Sequence, residues 1–220
     1  MIRHIGLLHT VGFLADMFRQ MLAEAMPDVE CTHIVDEGIL KLLMENDGVI
    51  PAVVRRVSNQ AELLMESGAD LILFTCSSTS PAVDTVRPLI DVPIMKIDEP
   101  LADMAVETGE RIGVITTAKT TMKPSVDLIQ SRAAKKGKPV DVITTLEAEA
   151  FQARLAGKID EHDDMIKAAI DKFSDNCDVI VLAQASMAHL VDQTKDSCGI
   201  PVLASPKLCV ETLKVKINEI

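Results

Sequence analysis

Cys76 stands one residue past the apolar run LILFT and is followed by Ser77, Ser78, Thr79 and Ser80 ahead of Pro81. A thiol at a strand-to-helix turn meets inward-pointing backbone N–H groups and the positive end of a helix dipole, and both favour the thiolate. The chemistry this predicts is proton removal, proton delivery or nucleophilic attack. In the same turn the hydroxyls of Ser77, Ser78 and Thr79 suit a substrate carboxylate.

Further polar side chains end other apolar runs. His9 and Thr10 close IGLLHT, Thr116 and Thr117 close RIGVITT, and Thr120 and Thr121 open the helix that follows. These positions suit N–H or hydroxyl donors aimed at an anion, and equally suit ordinary helix capping. His9, with an unperturbed pKa near neutrality, is the candidate second acid/base, although a hydrogen-bonded histidine at a strand end is an equal reading. Gln184, Ala185 and Ser186 follow the run CDVIVLA and form the matching turn, with Ser186 the counterpart of Ser78. Asp36 and Glu37 read as a solvated acidic loop or as the rim of a site. The run Glu161, His162, Asp163, Asp164 has metal-like composition, but four contiguous side chains cannot all aim at one ion, so it reads as a solvated helix N-terminus and no metal is expected.

The elements that must position these residues are legible as alternation. Short apolar runs (IGLLHT, ADLILFT, VPIMKI, RIGVITT, VDVITT, CDVIVLA, IPVLAS) recur between longer stretches of helical period, such as VGFLADMFRQMLAEAM and NQAELLMESG. Runs apolar on both faces are what parallel strands covered by helices on each side require. Gly68 and Gly109 read as helix C-caps.

An internal repeat organises the alternation. IGLLHT matches IGVITT, ADLILFTCSSTSPAV matches CDVIVLAQASMAHLV, and VPIMKIDEPLADMAVE matches IPVLASPKLCVETLK. Gly6 to Cys76 is 70 residues and Gly113 to Gln184 is 71, while Cys76 to Pro93 and Gln184 to Pro201 are both 17. The expected fold is α/β: two Rossmann-like parallel-sheet halves related by a pseudo-twofold axis, residues 1–98 with a C-terminal helix over 207–220, and residues 99–206. The expected ligand site is the cleft between them, at the carboxyl ends of the strands.

Composition removes several function classes. A net charge of -11 repels a phosphate backbone, and with 2% aromatic residues there is little to stack bases on, so no nucleic acid is expected. No apolar stretch approaches a membrane span, Asp16 and Arg19 interrupt any leader-like segment, and a cytoplasmic location is expected. The five cysteines (Cys31, Cys76, Cys177, Cys198, Cys209) form no CxxC pair and read as free thiols. No phosphate or dinucleotide cradle motif is present in the sequence.

Taken together, TCSST, AQASM, GVITTAKTT and PVLASP, at their places along essentially the whole chain, resemble the aspartate/glutamate/hydantoin racemase superfamily, which includes maleate isomerase and arylmalonate decarboxylase. The resemblance implies a homodimeric isomerase that uses no metal or organic cofactor and acts beside the carboxylate or carbonyl of a small organic or amino acid. It also implies that each half of a two-base member supplies one cysteine at the end of its third strand. Cys76 matches the first; the second place is Gln184, an amide that exchanges no proton at neutral pH. A one-thiol member leaves open racemisation or epimerisation, decarboxylation or cis-trans isomerisation of a dicarboxylate, and carboxylate binding without turnover. Met-rich helices such as LADMFRQMLAEAM offer an apolar face for the dimer.

Overall fold

A computed structural model describes residues 2–195 and 197–219, the side chains of 218 and 219 excepted. The chain forms two compact units, Met1–Ile97 with Pro206–Ile220, and Asp98–Ser205. The first contains β1 (His4–His9), α1 (Gly12–Ala25), β2 (Glu30–Val35), α2 (Glu37–Glu45), α3 (Pro51–Glu66), β3 (Leu71–Phe74), α4 (Ser80–Val86) and β4 (Ile94–Lys96). The second contains α5 (Glu99–Thr108), β5 (Arg111–Thr116), α6 (Lys119–Lys136), β6 (Asp141–Leu146), α7 (Ala148–Leu155), α8 (Ile159–Ser174), β7 (Val179–Leu182), α9 (Leu190–Thr194) and β8 (Val202–Ala204). The last helix, α10 (Ser205–Glu219), clusters with the first unit.

Each unit is an all-parallel four-stranded sheet, in the orders β2-β1-β3-β4 and β6-β5-β7-β8. The α/β reading with parallel sheets holds. The runs apolar on both faces became strands, four of them inner (β1, β3, β5, β7) and three at sheet edges (β4, β6, β8); every residue of β1, β3 and β7 is buried, whereas the edge strands β2 and β6 are half exposed. Helical stripes cover them. Val53, Val57, Ala61 and Leu64 line the buried side of α3, and Ile166, Ala169, Ile170 and Phe173 that of α8. Pro51 begins α3, where a missing N–H breaks no helix bond.

Two recurring contacts explain why the repeat is retained in the backbone. A Cβ on Gly6 would lie 2.9 Å from Leu64 Cβ, and one on Gly113 would lie 2.9 Å from Cys177 Sγ and 3.2 Å from a Phe173 ring carbon. Each glycine therefore lets a helix or its exit approach the strand closely. Ahead of β3, the Asp70 carboxylate accepts from the N–H groups of Arg3 (2.7 Å) and His4 (3.0 Å). Ahead of β7, Asp178 does the same for Glu110 (3.0 Å) and Arg111 (2.8 Å). These backbone bonds hold both carboxyls below their ordinary pKa.

The two C-cap glycines differ in kind. Gly68 follows α3 with φ 91, the left-handed region glycine favours. Gly109 is extended (φ -162, ψ 173), and what demands glycine there is contact, since a Cβ would sit 2.5 Å from Asp178 Cβ. Helix α5 is held on α6 by Arg132 paired to Glu99 (3.0 Å) and by Lys136 paired to Glu107.

Leu64 Cβ is the root of a helical side chain and cannot swing aside, so Gly6→Ala overpacks the β1–α3 contact. The expected loss of stability is about 1–3 kcal/mol, measured by urea denaturation; an unchanged midpoint and slope would show that the contact has room to spare.

Candidate active site

In a sheet of order 2-1-3-4 the chain leaves the first strand in one direction and crosses over it to the third, so the loops after those two strands diverge and open a crevice at their carboxyl ends. In the first unit these are the ends of β1 and β3, which carry His9, Thr10 and Cys76. Cys76 has an extended backbone (φ -124, ψ 113) and is partly exposed. Its carbonyl accepts from Thr79 N (3.1 Å) and Thr79 Oγ1 (2.6 Å), closing a 3-10 turn over Ser77–Thr79.

Two expectations for this turn need correction. A 3-10 turn stands between Cys76 and α4, and α4 has seven residues, so the dipole behind the thiol is weaker than that of a full helix. Thr79, placed by sequence among the carboxylate ligands, is buried and gives its hydroxyl to the Cys76 carbonyl. Ser77 and Ser78 are buried in the turn, and Thr10 is buried on the wall of a shallow recess of about 370 Å³ lined also by Val11, Glu37, Leu40, Lys41 and Met44.

His9 does not keep the near-neutral pKa expected of a second acid/base. It is fully buried, and a directional chain engages both ring nitrogens. Thr75 Oγ1 donates to Leu8 O (3.0 Å), so it accepts from His9 Nδ1 (2.9 Å); His9 Nε2 then accepts from His33 Nδ1 (2.9 Å). Burial, with the neighbouring His33 and Arg19, pushes His9 down to about 3, and burial pushes His33 down to about 4. The sequence places His33 in β2, but nothing in its spacing singles it out; only pairing of β1 with β2 brings the rings together.

The corresponding turn of the second unit is built alike. Gln184 has φ -134 and ψ 137, and its carbonyl accepts from Met187 N (3.1 Å) to close a 3-10 turn over Ala185–Met187. Its side chain folds onto the β5–α6 loop, where Oε1 accepts from Thr117 N (2.5 Å), Thr117 Oγ1 (3.0 Å) and Ala118 N (3.3 Å). Thr117 was expected to present these donors to a ligand, and Gln184 holds them instead. Thr116 gives its hydroxyl to Thr145 O (3.3 Å). Thr120 and Thr121 are buried in the first turn of α6, Ala185 is buried and Ser186 is partly exposed.

Both acidic segments are divided: Glu37, Glu161 and Asp164 are exposed, as a solvated reading expects, whereas Asp36, His162 and Asp163 are interior. Asp36 is buried, caps α2 through Gly38 N (3.1 Å), and accepts from Arg56 Nε (2.5 Å) and Gln60 Nε2 (3.0 Å) on α3. Burial acts to raise its pKa, and these bonds outweigh it and leave the carboxyl below its ordinary value. His162 and Asp163 are buried as well; Asp163 bridges His162 Nδ1 (2.7 Å) and His189 Nε2 (2.8 Å). Among the described residues no group of three or more His, Cys, Asp or Glu could hold a metal ion. Lys96, at the end of β4, is a buried cation the sequence reading passed over, although a lysine inside VPIMKI is a signal; its Nζ meets both Asp84 carboxylate oxygens at 2.9 and 3.0 Å.

Residues 5–213 match the family model described as Asp/Glu/Hydantoin racemase. An uncharacterized protein of Schizosaccharomyces pombe is 26% identical over 148 residues, 66% of this chain and 63% of that protein. Glutamate racemase of Trichodesmium erythraeum is 41% identical over 58 residues, 26% of this chain and 22% of that enzyme, so the match spans less than two thirds of either relative. Picrophilus torridus aspartate racemase superposes with a TM-score of 0.73 at 13% identity, covering 92% of this chain and 89% of that one. Among the described residues no helix is long and apolar enough to cross a membrane.

Two measurements check the site as built. Cys177, Cys198 and Cys209 are buried, and burial with the Glu30 charge raises the Cys31 thiol pKa, so limiting iodoacetamide should label Cys76 first; preferential labelling of any other cysteine overturns its assignment. The His9 ring proton resonances should show no inflection between about pH 5 and 8. Its folded pKa lies below the unfolded value, so the linked stability is fully present above the unfolded pKa and is lost as pH falls toward about 3.

Proposed function

Because the chain belongs to the Asp/Glu/Hydantoin racemase family, we propose that it is an isomerase of racemase or epimerase type in which Cys76 acts at the carbon next to a carboxylate or carbonyl of a small organic or amino acid. The observation that carries the reading is the place of Cys76: partly exposed, one residue beyond Thr75, at the end of one of the two strands that flank the crossover of its sheet.

The Cys76 thiolate removes the proton from that carbon, the C–H electron pair moves into the adjacent carbonyl as an enediolate, and a proton returned to the carbon restores the acid. Return to the same face retains configuration; return to the other face inverts it. His9 is a poor source for the second proton, because a ring with a pKa near 3 is neutral and its Nδ1 proton is held by Thr75. Water then serves the second face.

One observation favours a second reading. With Gln184 in the place of a second acid/base and its oxygen bound to Thr117 and Ala118, proton delivery to one face only suits a lyase that loses CO2 from a malonate-like diacid and protonates the resulting enediolate from Cys76.

Proton NMR in heavy water across small amino acids, hydroxy acids and dicarboxylates separates these outcomes. Racemisation replaces the α-proton by deuterium in both hands of the product; decarboxylation places one deuterium on one face. In either case Cys76→Ser is expected to slow the reaction about 10²-fold or more, and exchange at the wild-type rate in that variant removes Cys76 from the mechanism.

A further inference from the structure

Gln184 stands where the sequence repeat demands a counterpart to Cys76, in a turn of the same hydrogen-bond pattern. An amide there transfers no protons, yet its geometry is more specific than that of a side chain filling space. Thr117 N and Ala118 N are donors without acceptor capacity, so the atom 2.5 and 3.3 Å from them can only be the carboxamide oxygen. The amide therefore cannot flip, and Nε2 is fixed on the far side of the carboxamide plane.

Among the described residues nothing accepts a hydrogen bond from Nε2, and it is not one of the buried atoms left without a partner; Gln184 as a whole is partly exposed. Among the described residues the two N–H bonds of Nε2 are thus left without an acceptor at the carboxyl end of β7, beside the end of β5 and at the crossover point of its sheet, which is where sheets of this order bind ligands. Three donors on Oε1 polarise the amide and strengthen its N–H groups as donors.

We propose that Gln184 is a substrate-binding residue whose Nε2 donates a hydrogen bond to an oxygen of the substrate carboxylate. The proposal rests on the reading above that a small acid is the substrate. It makes the loop donors of Thr117 and Ala118 act on the ligand through an intervening amide rather than directly. Charge that develops on a substrate oxygen is stabilised by a donor already in place, without reorganisation.

Side-chain amide resonances of 15N-labelled protein, with the Gln184 pair identified by its absence in Gln184→Glu, read the donation directly. Malonate, maleate and aspartate serve as probes. On saturation with a probe that binds, one Gln184 Nε2 proton is expected to move downfield. Gln184→Glu keeps an oxygen for Thr117 and Ala118 and replaces the donor by an acceptor, so it should retain the wild-type circular dichroism spectrum and bind that probe at least about tenfold more weakly, the scale of one charge-assisted hydrogen bond. Gln130→Glu, which adds the same charge at an exposed position on α6, should bind as wild type does. An unmoved Gln184 resonance in the presence of bound probe, unchanged affinity in Gln184→Glu, equal weakening in Gln130→Glu, or no binding of any of the three probes at millimolar concentration each overturns the proposal. Exchange lost in Cys76→Ser alongside an unmoved Gln184 resonance removes this inference and leaves the proposed function standing; a moved resonance with exchange intact in Cys76→Ser does the reverse.

Discussion

The parallel pairing of the first strand with the third is the constraint on which both units depend. Ile5 to Leu8 run in register with Leu71 to Phe74, and Ile112 to Ile115 with Val179 to Leu182. Because side chains alternate along a strand, a one-residue slip in either pair would turn its inner residues to the opposite face and misplace everything beyond the strand ends. With the register set, the chain two residues past Leu182 lies close enough to the β5–α6 loop for Gln184 to reach Thr117. The close approaches at Gly6 and Gly113, and the carboxylates of Asp70 and Asp178 on the backbone at the starts of β1 and β5, secure the same pairing from below.

Above that frame the two units diverge in chemistry while keeping one backbone. Cys76 and Gln184 both adopt extended φ and ψ, and each closes a 3-10 turn through a carbonyl that accepts at 3.1 Å from the residue three positions on. A thiol at that position can take a proton; an amide can only donate hydrogen bonds or accept them. Equivalent places in the repeat thus carry side chains of different chemistry on one backbone geometry.

Buried polar chains tie the strand ends to neighbouring elements. His33, His9, Thr75 and the Leu8 carbonyl form one such chain, and Asp36 with Arg56 and Gln60 ties the start of α2 to α3. A buried imidazole or carboxylate is tolerable when its hydrogen-bonding capacity is met, and a satisfied network specifies one arrangement of the elements it links. In the second unit Asp163 links α8 to His189, while among the described residues the buried Nε2 of its neighbour His162 has no hydrogen-bond partner.

Much of this was determined by the sequence alone. Runs apolar on both faces determined parallel strands, and the coincident spacings from Gly6 to Cys76 and from Gly113 to Gln184 made the halves repeat, because residue period and loop length are local properties of the chain. TCSST and its place after a strand marked Cys76. Tertiary structure decided what composition could not express: that His9 is sealed in and driven to a pKa near 3, that Asp36, His162 and Asp163 are interior rather than solvated, and that Thr79 and Thr117 direct their donors inward. Several of these partnerships join residues far apart in sequence, 24 positions for His9 with His33 and 67 for Thr117 with Gln184, whereas Thr79 bonds only three residues back. No local pattern carries that information, because only the pairing of distant strands brings such groups within 3 Å.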